Sequence, residues 1–303
     1  FQLRICDERG TAIRSAKLLK GGMPARYGGR ISSVMDVYTK EGNQNRWSGE
    51  VAADAIGAKA TVEGPFANKK GSLMVSGRHT HSDFYLMPAV EKLMAAEDFI
   101  DSKYNFDDFN CKVNYNFSEK NKLYLSFYSG KDNFSGNEIL ESDFSEDELA
   151  TKFDWGNTIT SLRWNHLFNQ KLFSNTSLTY SHFRFTWGSL YSSVIFPGEP
   201  GFEPFVFSFF SGLESDIRDF AWKTDFDYAP SADHYFRFGG SLTAHRFRPN
   251  ATVLYQQFAN VEQQDSLNID DYFGGETGDV INAVSFDAYA EDEWRITRKL
   301  TIN

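Results

Sequence analysis

The sequence lacks long apolar runs, a set of paired cysteines and an excess of basic charge. In its 303 residues no stretch approaches the roughly 20 consecutive apolar residues of a membrane helix, which excludes a helical membrane protein. Two cysteines, Cys6 and Cys111, cannot form a disulfide framework. Because 31 basic residues stand against 41 acidic ones, without a basic face, we expect no nucleic-acid partner.

Recognisable catalytic motifs are lacking as well. The sequence contains no Ser-His-Asp set, Walker loop, dinucleotide glycine motif or Cys-x-x-Cys pair, so we expect no enzymatic activity and no cofactor. His79 and His81 are two apart on a predicted strand and share a face, but two imidazoles are an incomplete zinc site. Ordinary polar residues entering a loop are the stronger interpretation, and we expect no metal.

The sequence does contain many aromatic residues, namely 29 Phe, 14 Tyr and 6 Trp. Together with other, mostly apolar residues they recur with a period of two, as from Phe109 to Phe117 and from Phe220 to Tyr228, where mostly polar residues fill the alternate positions. Strict alternation predicts strands with one apolar and one polar face. Cys111 belongs to the apolar face of its strand, which indicates a packing role.

One segment near the N-terminus has a different period. Ile13, Ala16 and Leu19 lie near helical spacing, and Gly21-Gly22 follows them. We therefore expect a short helix over residues 12–20. No secretory leader is recognised at the start of the sequence, so we expect an exported protein to be represented here by a fragment.

The connections between the predicted strands alternate in length. Short turns are expected near residues 66–71, 118–121, 169–171, 229–233 and 297–299, and long polar links near 83–104, 130–151, 187–212 and 248–283. Antiparallel strands joined in this way place all short turns at one end of the sheet. The sequence predicts about ten strands from Trp47 onward and the start of another at Leu300.

Two architectures share this alternation, a soluble sandwich and an outer-membrane barrel with short turns on one side and longer loops on the other. Aromatic residues at strand ends favour the barrel, where they form interfacial girdles. Those expected in girdles are Phe117, Phe168 and Tyr228 beside short turns, and Phe183, Phe185 and Trp187 near a long link.

Residues 15–43 resemble the end of the plug domain in TonB-dependent outer-membrane receptors, in the sequence variant found in Bacteroidetes-type bacteria. The matching residues are Tyr27, Gly28, Gly29, Val34, Val37, Thr39 and Lys40. The stretch from Tyr289 to Thr301 is similar to a mid-barrel strand and turn of the same family. The resemblance implies an all-β chain: a plug remnant at 1–43, followed at 44–303 by part of an antiparallel up-and-down transmembrane barrel.

The same resemblance implies a function. A TonB-dependent transporter takes up a scarce nutrient, such as a siderophore, cobalamin, a glycan or a peptide, across the outer membrane. Its partners would be outer-membrane lipid, TonB through a region preceding this sequence, and the nutrient, and a surface lipoprotein is a further candidate. Two alternatives stay open: an outer-membrane adhesin or passive channel without energy coupling, and a soluble all-β carbohydrate-binding or hydrolytic protein.

The link from Trp187 to Phe210 is the strongest candidate for substrate contact. Aromatic rings at a barrel mouth offer stacking and apolar contact, and three nearby prolines reduce the entropy lost on binding. The alternative is a loop that packs its own aromatic residues. The candidates are Trp187, Tyr191, Phe202, Phe205 and Phe207.

Overall fold

The structure is a computed structural model of the 303-residue chain. It describes all residues except 1–12, 21–22, 28–32, 55, 81–88, 90–91, 93–98, 197–202, 259–267, 274–277, 298–299 and 303. Among the described residues, no helix is long and apolar enough to cross a membrane.

The N-terminal segment, residues 13–47, is a small hairpin with a short helical turn. Strand β1 (Ile13–Lys20) pairs antiparallel with β2 (Ser33–Thr39), and a 3₁₀ helix (Ala25–Tyr27) lies between them. The helix expected over residues 12–20 is therefore wrong. The physical reason is a partner distant in sequence, since β2 supplies Val37 opposite Ala16 and completes a ladder that local spacing does not reveal.

The remaining strands form one antiparallel sheet in which every strand pairs with its neighbours in sequence. Within the described residues the sheet contains eleven strands, the last of only three residues, so the predicted all-β, up-and-down architecture is confirmed. In chain order the strands are β3 (Ser48–Ala53), β4 (Gly57–Phe66), β5 (Gly71–Thr80), β6 (Phe99–Ser118), β7 (Asn121–Glu141), β8 (Ser145–Asn169), β9 (Leu172–Ile195), β10 (Phe205–Tyr228), β11 (His234–Phe258), β12 (Ile281–Thr297) and β13 (Leu300–Ile302).

Four of the five short turns occur where they were predicted, and the fifth, near 297–299, includes residues 298–299, which lie outside the described residues. Three of the four long links are shorter than expected. β7 and β8 together occupy almost all of 130–151, and only residues 142–144 connect them. Strands β9 and β10 likewise extend into 187–212, and β11 extends into 248–283. Backbone pairing continues through these segments although their apolar pattern changes, which is why alternation alone ended the strands too early.

One face of the sheet carries a continuous apolar row across eight strands. Directly paired residues form it from β5 to β12, and most of them are exposed. We call this row and the next one toward the long links the outer belt. The first row consists of Leu73, Val113, Leu125, Leu162, Leu178, Trp222, Leu242 and Phe286; the second consists of Val75, Cys111, Phe127, Thr160, Tyr180, Phe220, Ala244 and Val284.

The opposite face is polar at the same height and carries the N-terminal segment. A second paired row runs there across the same eight strands: Ser72, Asn114, Tyr124, Arg163, Ser177, Lys223, Ser241 and Asp287. The Asn114 amide donates to the Glu41 carbonyl at 2.5 Å, and the Arg26 backbone N–H donates to Glu291 Oε1 at 2.9 Å. Because β6 and β12 both contact this one segment, the sheet wraps around it, and we call this face the inner face.

Above the outer belt, toward the long links, the two faces exchange character. On the outer face, His182 and Arg218 are the pair that follows Tyr180 and Phe220. On the inner face, serine and threonine give way to aromatic rings such as Phe185 and Trp187. This exchange corrects the girdle prediction for Phe183, Phe185 and Trp187, which lie on the inner face and not beside the outer belt.

A small core closes the outer face above the belt. A 3₁₀ helix (Ile269–Tyr272) packs with Phe273 against Ala150, Leu190 and Phe210. The Phe210 ring stacks on Tyr272 at 4.7 Å and meets Phe273 edge-on at 5.3 Å. The upper strands therefore have apolar contacts on both faces, which supports their length beyond the belt.

Candidate functional site

The upper inner face of β6–β10 carries a group of aromatic side chains that we call the inner aromatic surface. Phe153 is its centre, with its ring 4.8 Å from the Trp155 ring and 5.2 Å from the Phe185 ring, both edge-on. Such contacts each contribute about 0.5–1.5 kcal/mol beyond area burial and hold the rings in fixed positions. The surface consists of Phe106, Phe153, Trp155, Phe185, Trp187, Tyr191 and Phe207.

The structure brings most of the aromatic candidates to this surface, but on strands and not on a loop. Trp187 and Tyr191 lie on β9, and Phe205 and Phe207 lie on β10, all at inner-face positions. The Tyr191 and Phe207 rings are 5.7 Å apart, whereas Trp187 lies two inner-face positions below Tyr191. Phe202 lies outside the described residues.

Sequence reasoning missed Phe106, Phe153, Trp155 and Phe185 as members of the same surface. They belong to β6, β8 and β9, and register places them in neighbouring rows. Their alternation was visible in the sequence. The missing signal was the register across strands, because that alone shows that aromatic residues tens of positions apart share a face.

The residues of the plug-like motif lie on or beside the N-terminal hairpin. The Tyr27 hydroxyl donates to the Asp36 carboxylate, and Thr39 Oγ1 accepts from Lys112 Nζ at 3.0 Å; Lys40 follows directly. Gly28 and Gly29 lie outside the described residues. Partial burial raises the pKa of the Tyr27 hydroxyl, and the bond to Asp36 raises it further, so Tyr27 is a neutral donor at physiological pH.

A cavity of about 1050 Å³ lies between the hairpin and the inner face of β4–β8. Its lining includes Arg78, Lys112, Tyr124 and Arg163. The guanidinium carbon of Arg163 lies 4.3 Å from the centre of the Tyr124 ring, and that of Arg78 lies 4.4 Å from the Phe106 ring. Phe106 thus connects this cavity to the inner aromatic surface above it.

On the outer face, a charged cluster centred on Asp216 marks the upper limit of the belt. Asp216 accepts from His182 Nε2 at 2.6 Å, and Arg218 Nε lies 2.8 Å from its other oxygen. Partial burial alone would raise the pKa of the Asp216 carboxyl, but the bonds from His182 and Arg218 outweigh it and lower this pKa. The carboxylate is therefore fixed in its charged form at this level.

The structure offers no support for a metal at His79. His79 Nδ1 lies 2.6 Å from Asp107 Oδ1 on an exposed part of the outer face, and His81 lies outside the described residues. Within the part of the chain that the structure describes, no three His, Cys, Asp or Glu side chains are grouped closely enough to hold a metal ion. Cys111 lies in the second row of the outer belt, between Val75 and Phe127.

Comparisons with known proteins add a fold-level likeness. No protein-family model and no curated protein matches the sequence. Among solved structures, the siderophore receptor PirA from Acinetobacter baumannii resembles the chain with 8% identity and a TM-score of 0.29, over 94% of this chain and 65% of the receptor chain. The chain therefore spans less than two thirds of that receptor's length, and at this TM-score the likeness carries no argument about function. The strand order and register described above carry the fold.

Proposed function

We propose that this chain forms part of the wall of an outer-membrane β-barrel transporter of the TonB-dependent class, with residues 1–43 as the end of its plug. The single observation that carries the proposal is the first row of the outer belt, an apolar and mostly exposed row that crosses eight paired strands without interruption. An apolar band of this extent is expected at a lipid interface and is unusual on a soluble monomer.

The height of the belt fits a lipid bilayer. On β10, the outer-face positions from Phe220 to Tyr228 span nine residues between Arg218 and the short turn. On β6, Phe109 to Phe117 also span nine residues, and Asp107 precedes them. A tilted transmembrane strand needs about 9–11 residues. The first charged outer-face residues above the belt are directly paired on two sets of neighbouring strands, Asp107 with Lys131 and Arg218 with Arg246, as the headgroup region of a membrane requires.

The N-terminal segment has the contacts that a movable plug needs. Its bonds to the wall are polar, from Lys112 to Thr39, from Ser72 and Asn114 to the Glu41 carbonyl, and from Arg26 to Glu291. Water can replace such bonds at a small net cost, because each contributes about 0.5–1.5 kcal/mol. A pulling force on the plug can thus release this segment without disturbing the wall.

The inner aromatic surface supports a role in substrate capture. In the proposed orientation, Trp187, Tyr191 and Phe207 face the lumen above the membrane, where a nutrient arrives from outside. Aromatic rings fixed on rigid strands lose little entropy when a ligand stacks on them. The nutrient would move from this surface into the cavity beside the plug once the segment shifts.

The decisive experiment measures movement of the N-terminal segment in living cells. Ser72 is completely buried, and its hydroxyl donates to the Glu41 carbonyl at 2.7 Å. We expect Ser72→Cys in the full-length protein to react with a hydrophilic maleimide in energised cells supplied with complex medium, and to be protected after TonB is deleted or the proton gradient is collapsed. Ser118→Cys, at the exposed end of β6 beside a short turn, is the matched control and should react equally in all conditions.

Three outcomes separate the possible functions. Energy-dependent labelling of Ser72→Cys in an outer-membrane fraction supports the transporter. Outer-membrane localisation with labelling that is independent of TonB contradicts energy coupling and favours an adhesin or passive channel. A full-length product that purifies without detergent as a single monomeric species rejects the barrel altogether and leaves a soluble all-β protein.

A further inference from the structure

The cavity beside the N-terminal hairpin differs from the rest of the molecule in charge. The whole chain carries a net charge of −10, yet the residues lining this cavity include five cationic side chains and only two carboxylates. The cations are Arg14, Lys59, Arg78, Lys112 and Arg163, and the carboxylates are Glu41 and Asp108. The cavity is therefore a positively charged region on the inner face of an acidic protein.

Three of these cations lack a carboxylate partner. Among the described residues, no carboxylate oxygen forms an ion pair with Arg78, Lys112 or Arg163. Lys112 is buried and donates only to the hydroxyl and carbonyl of Thr39, at 3.0 and 3.3 Å. Arg163 Nε is buried and makes no hydrogen bond to another described residue. Burying charge without a partner is costly, so the buried Lys112 and the half-buried Arg163 indicate a missing anion, whereas Arg78 is exposed.

The two stacked arginines of the cavity, Arg78 and Arg163, each have an orientation that allows them to bind an anion. Arg78 and Arg163 each stack a guanidinium plane on an aromatic ring, of Phe106 and Tyr124 respectively. Stacking fixes the orientation of the plane but leaves its N–H edge available for bidentate hydrogen bonds to a carboxylate or phosphate. The cavity, at about 1050 Å³, has room for a small molecule with several such groups.

We propose that this cavity binds a small molecule bearing several carboxylate or phosphate groups, held by Lys112 and Arg163, with Arg78 adding positive charge at the upper end of the same cavity. The site deepens the proposed function by naming the class of nutrient, and it rests on that function only for the idea that the ligand is imported. Because Lys112 also holds Thr39, an anion that competes for its ammonium group loosens one of the bonds that keep the hairpin in place.

The test compares the reactivity of one introduced thiol toward charged reagents. Ser126 lines the cavity at an inner-face position, and Ser211 lies at an inner-face position on β10 outside it. Each is replaced by Cys in the folded, detergent-purified full-length protein without its other cysteines. Rates are measured with an anionic sulfonatoethyl and a cationic trimethylammonioethyl methanethiosulfonate. We expect the anion-to-cation rate ratio at Ser126→Cys to exceed that at Ser211→Cys about tenfold, since clefts lined by one charge sign hold potentials of several kT.

Charge variants then assign the effect to the arginines. The pair Arg78→Gln and Arg163→Gln should lower the ratio at position 126 at least about threefold, whereas Arg163→Lys alone should keep it. Each variant is first checked for the gel shift on heating that marks a folded barrel. If a glutamine variant does not fold, the comparison of positions 126 and 211 in the parent protein still decides the sign of the potential.

Binding is read from protection of the same thiol. Citrate and pyrophosphate, at millimolar concentration, should slow the reaction of Ser126→Cys with the neutral methyl methanethiosulfonate, and glucose should not. A ratio no higher at position 126 than at 211 overturns the proposal, and so does the absence of protection by both anions. These results come from purified protein and are independent of energy-dependent labelling at Ser72→Cys, so the proposed function and this site can fail separately.

Discussion

Tyr180 on β9 and Phe220 on β10 lie directly opposite each other on the outer face, with 39% and 55% of their surfaces exposed. The next pair on that face, His182 and Arg218, is polar and bonds to Asp216. The change from an apolar to a charged surface thus occurs within one pair of residues, about 7 Å along the strands. A lipid bilayer has such a boundary, and an aqueous surface has none.

A lysine placed in the belt should separate a lipid-facing wall from a water-facing one. Leu178 is 40% exposed in the first row of the belt, so Leu178→Lys should be nearly neutral in water. In a bilayer, we expect it to lower the free energy of unfolding by about 2–4 kcal/mol. Urea denaturation in lipid vesicles, followed by tryptophan fluorescence, measures the change. Ser181→Lys, three residues along β9 on the inner face, is the control and should change stability by less than about 1 kcal/mol.

Two tryptophans on β10 and β9 test the exchange of faces directly. Trp222 lies in the first row of the outer belt, whereas Trp187 lies on the inner face above the belt. In single-tryptophan variants reconstituted in vesicles, bromine-labelled lipid chains should quench Trp222 strongly and Trp187 weakly. Aqueous iodide should give the reverse order. Equal quenching of both residues by either agent contradicts the assigned faces.

The part of the fold that depends on local alternation could be predicted from the sequence. Phe220, Trp222 and Phe226 alternate with a set of mostly charged residues, and the structure places the three rings on one face of β10 as expected. Above the belt, Phe183 and Phe185 continue the aromatic composition but occupy the other face. Where the apolar residues move to the opposite face, the alternation along a single strand is interrupted, and the interruption predicts the end of the strand. Three of the long links were therefore predicted too long.

The hairpin and the cavity required information that no local pattern contains. Ile13, Ala16 and Leu19 fit both a helix and a strand, and pairing with β2 decides between them. The bond between Lys112 and Thr39 joins residues 73 positions apart. Arg78 and Arg163 line the same cavity only because of the register of β5–β8. Long-range register, and not residue identity, was the missing information for the site.

The position of the N-terminal segment against the inner face depends on a glycine with a backbone conformation that other residues rarely adopt. Gly42 has a φ of +84°, and a Cβ atom there would lie 2.7 Å from the Leu73 carbonyl oxygen. Gly42→Ala should therefore destabilise the seated segment by about 1–3 kcal/mol. Faster proteolytic cleavage of residues 13–47 in the folded protein would show the effect.

The matched control for that variant is Gly77→Ala on β5, where the nearest atom to the added Cβ would be 3.9 Å away. Because alanine loses less backbone entropy than glycine in a strand, this variant should be neutral or slightly stabilising. If both variants leave the cleavage rate unchanged, the Gly42 turn does not hold the segment in place.

Asp216 should give the upper strands a stability that depends on pH. Its pKa is lower in the folded protein than in the unfolded chain, because His182 and Arg218 outweigh the effect of partial burial. A lowered folded pKa means that the stabilisation is complete above the unfolded value of about 3.9 and is lost as the pH falls through the folded value. Asp216→Asn should therefore speed hydrogen exchange in the upper halves of β9 and β10 at pH 7, and the difference from the parent protein should shrink as the pH falls below about 3.9.

Asp143→Asn, in the exposed turn at residues 142–144, removes one charge without touching this cluster and should leave that exchange unchanged at every pH. A difference between parent and Asp216→Asn that does not shrink as the pH falls would show that the side chain acts through packing and not through its charge.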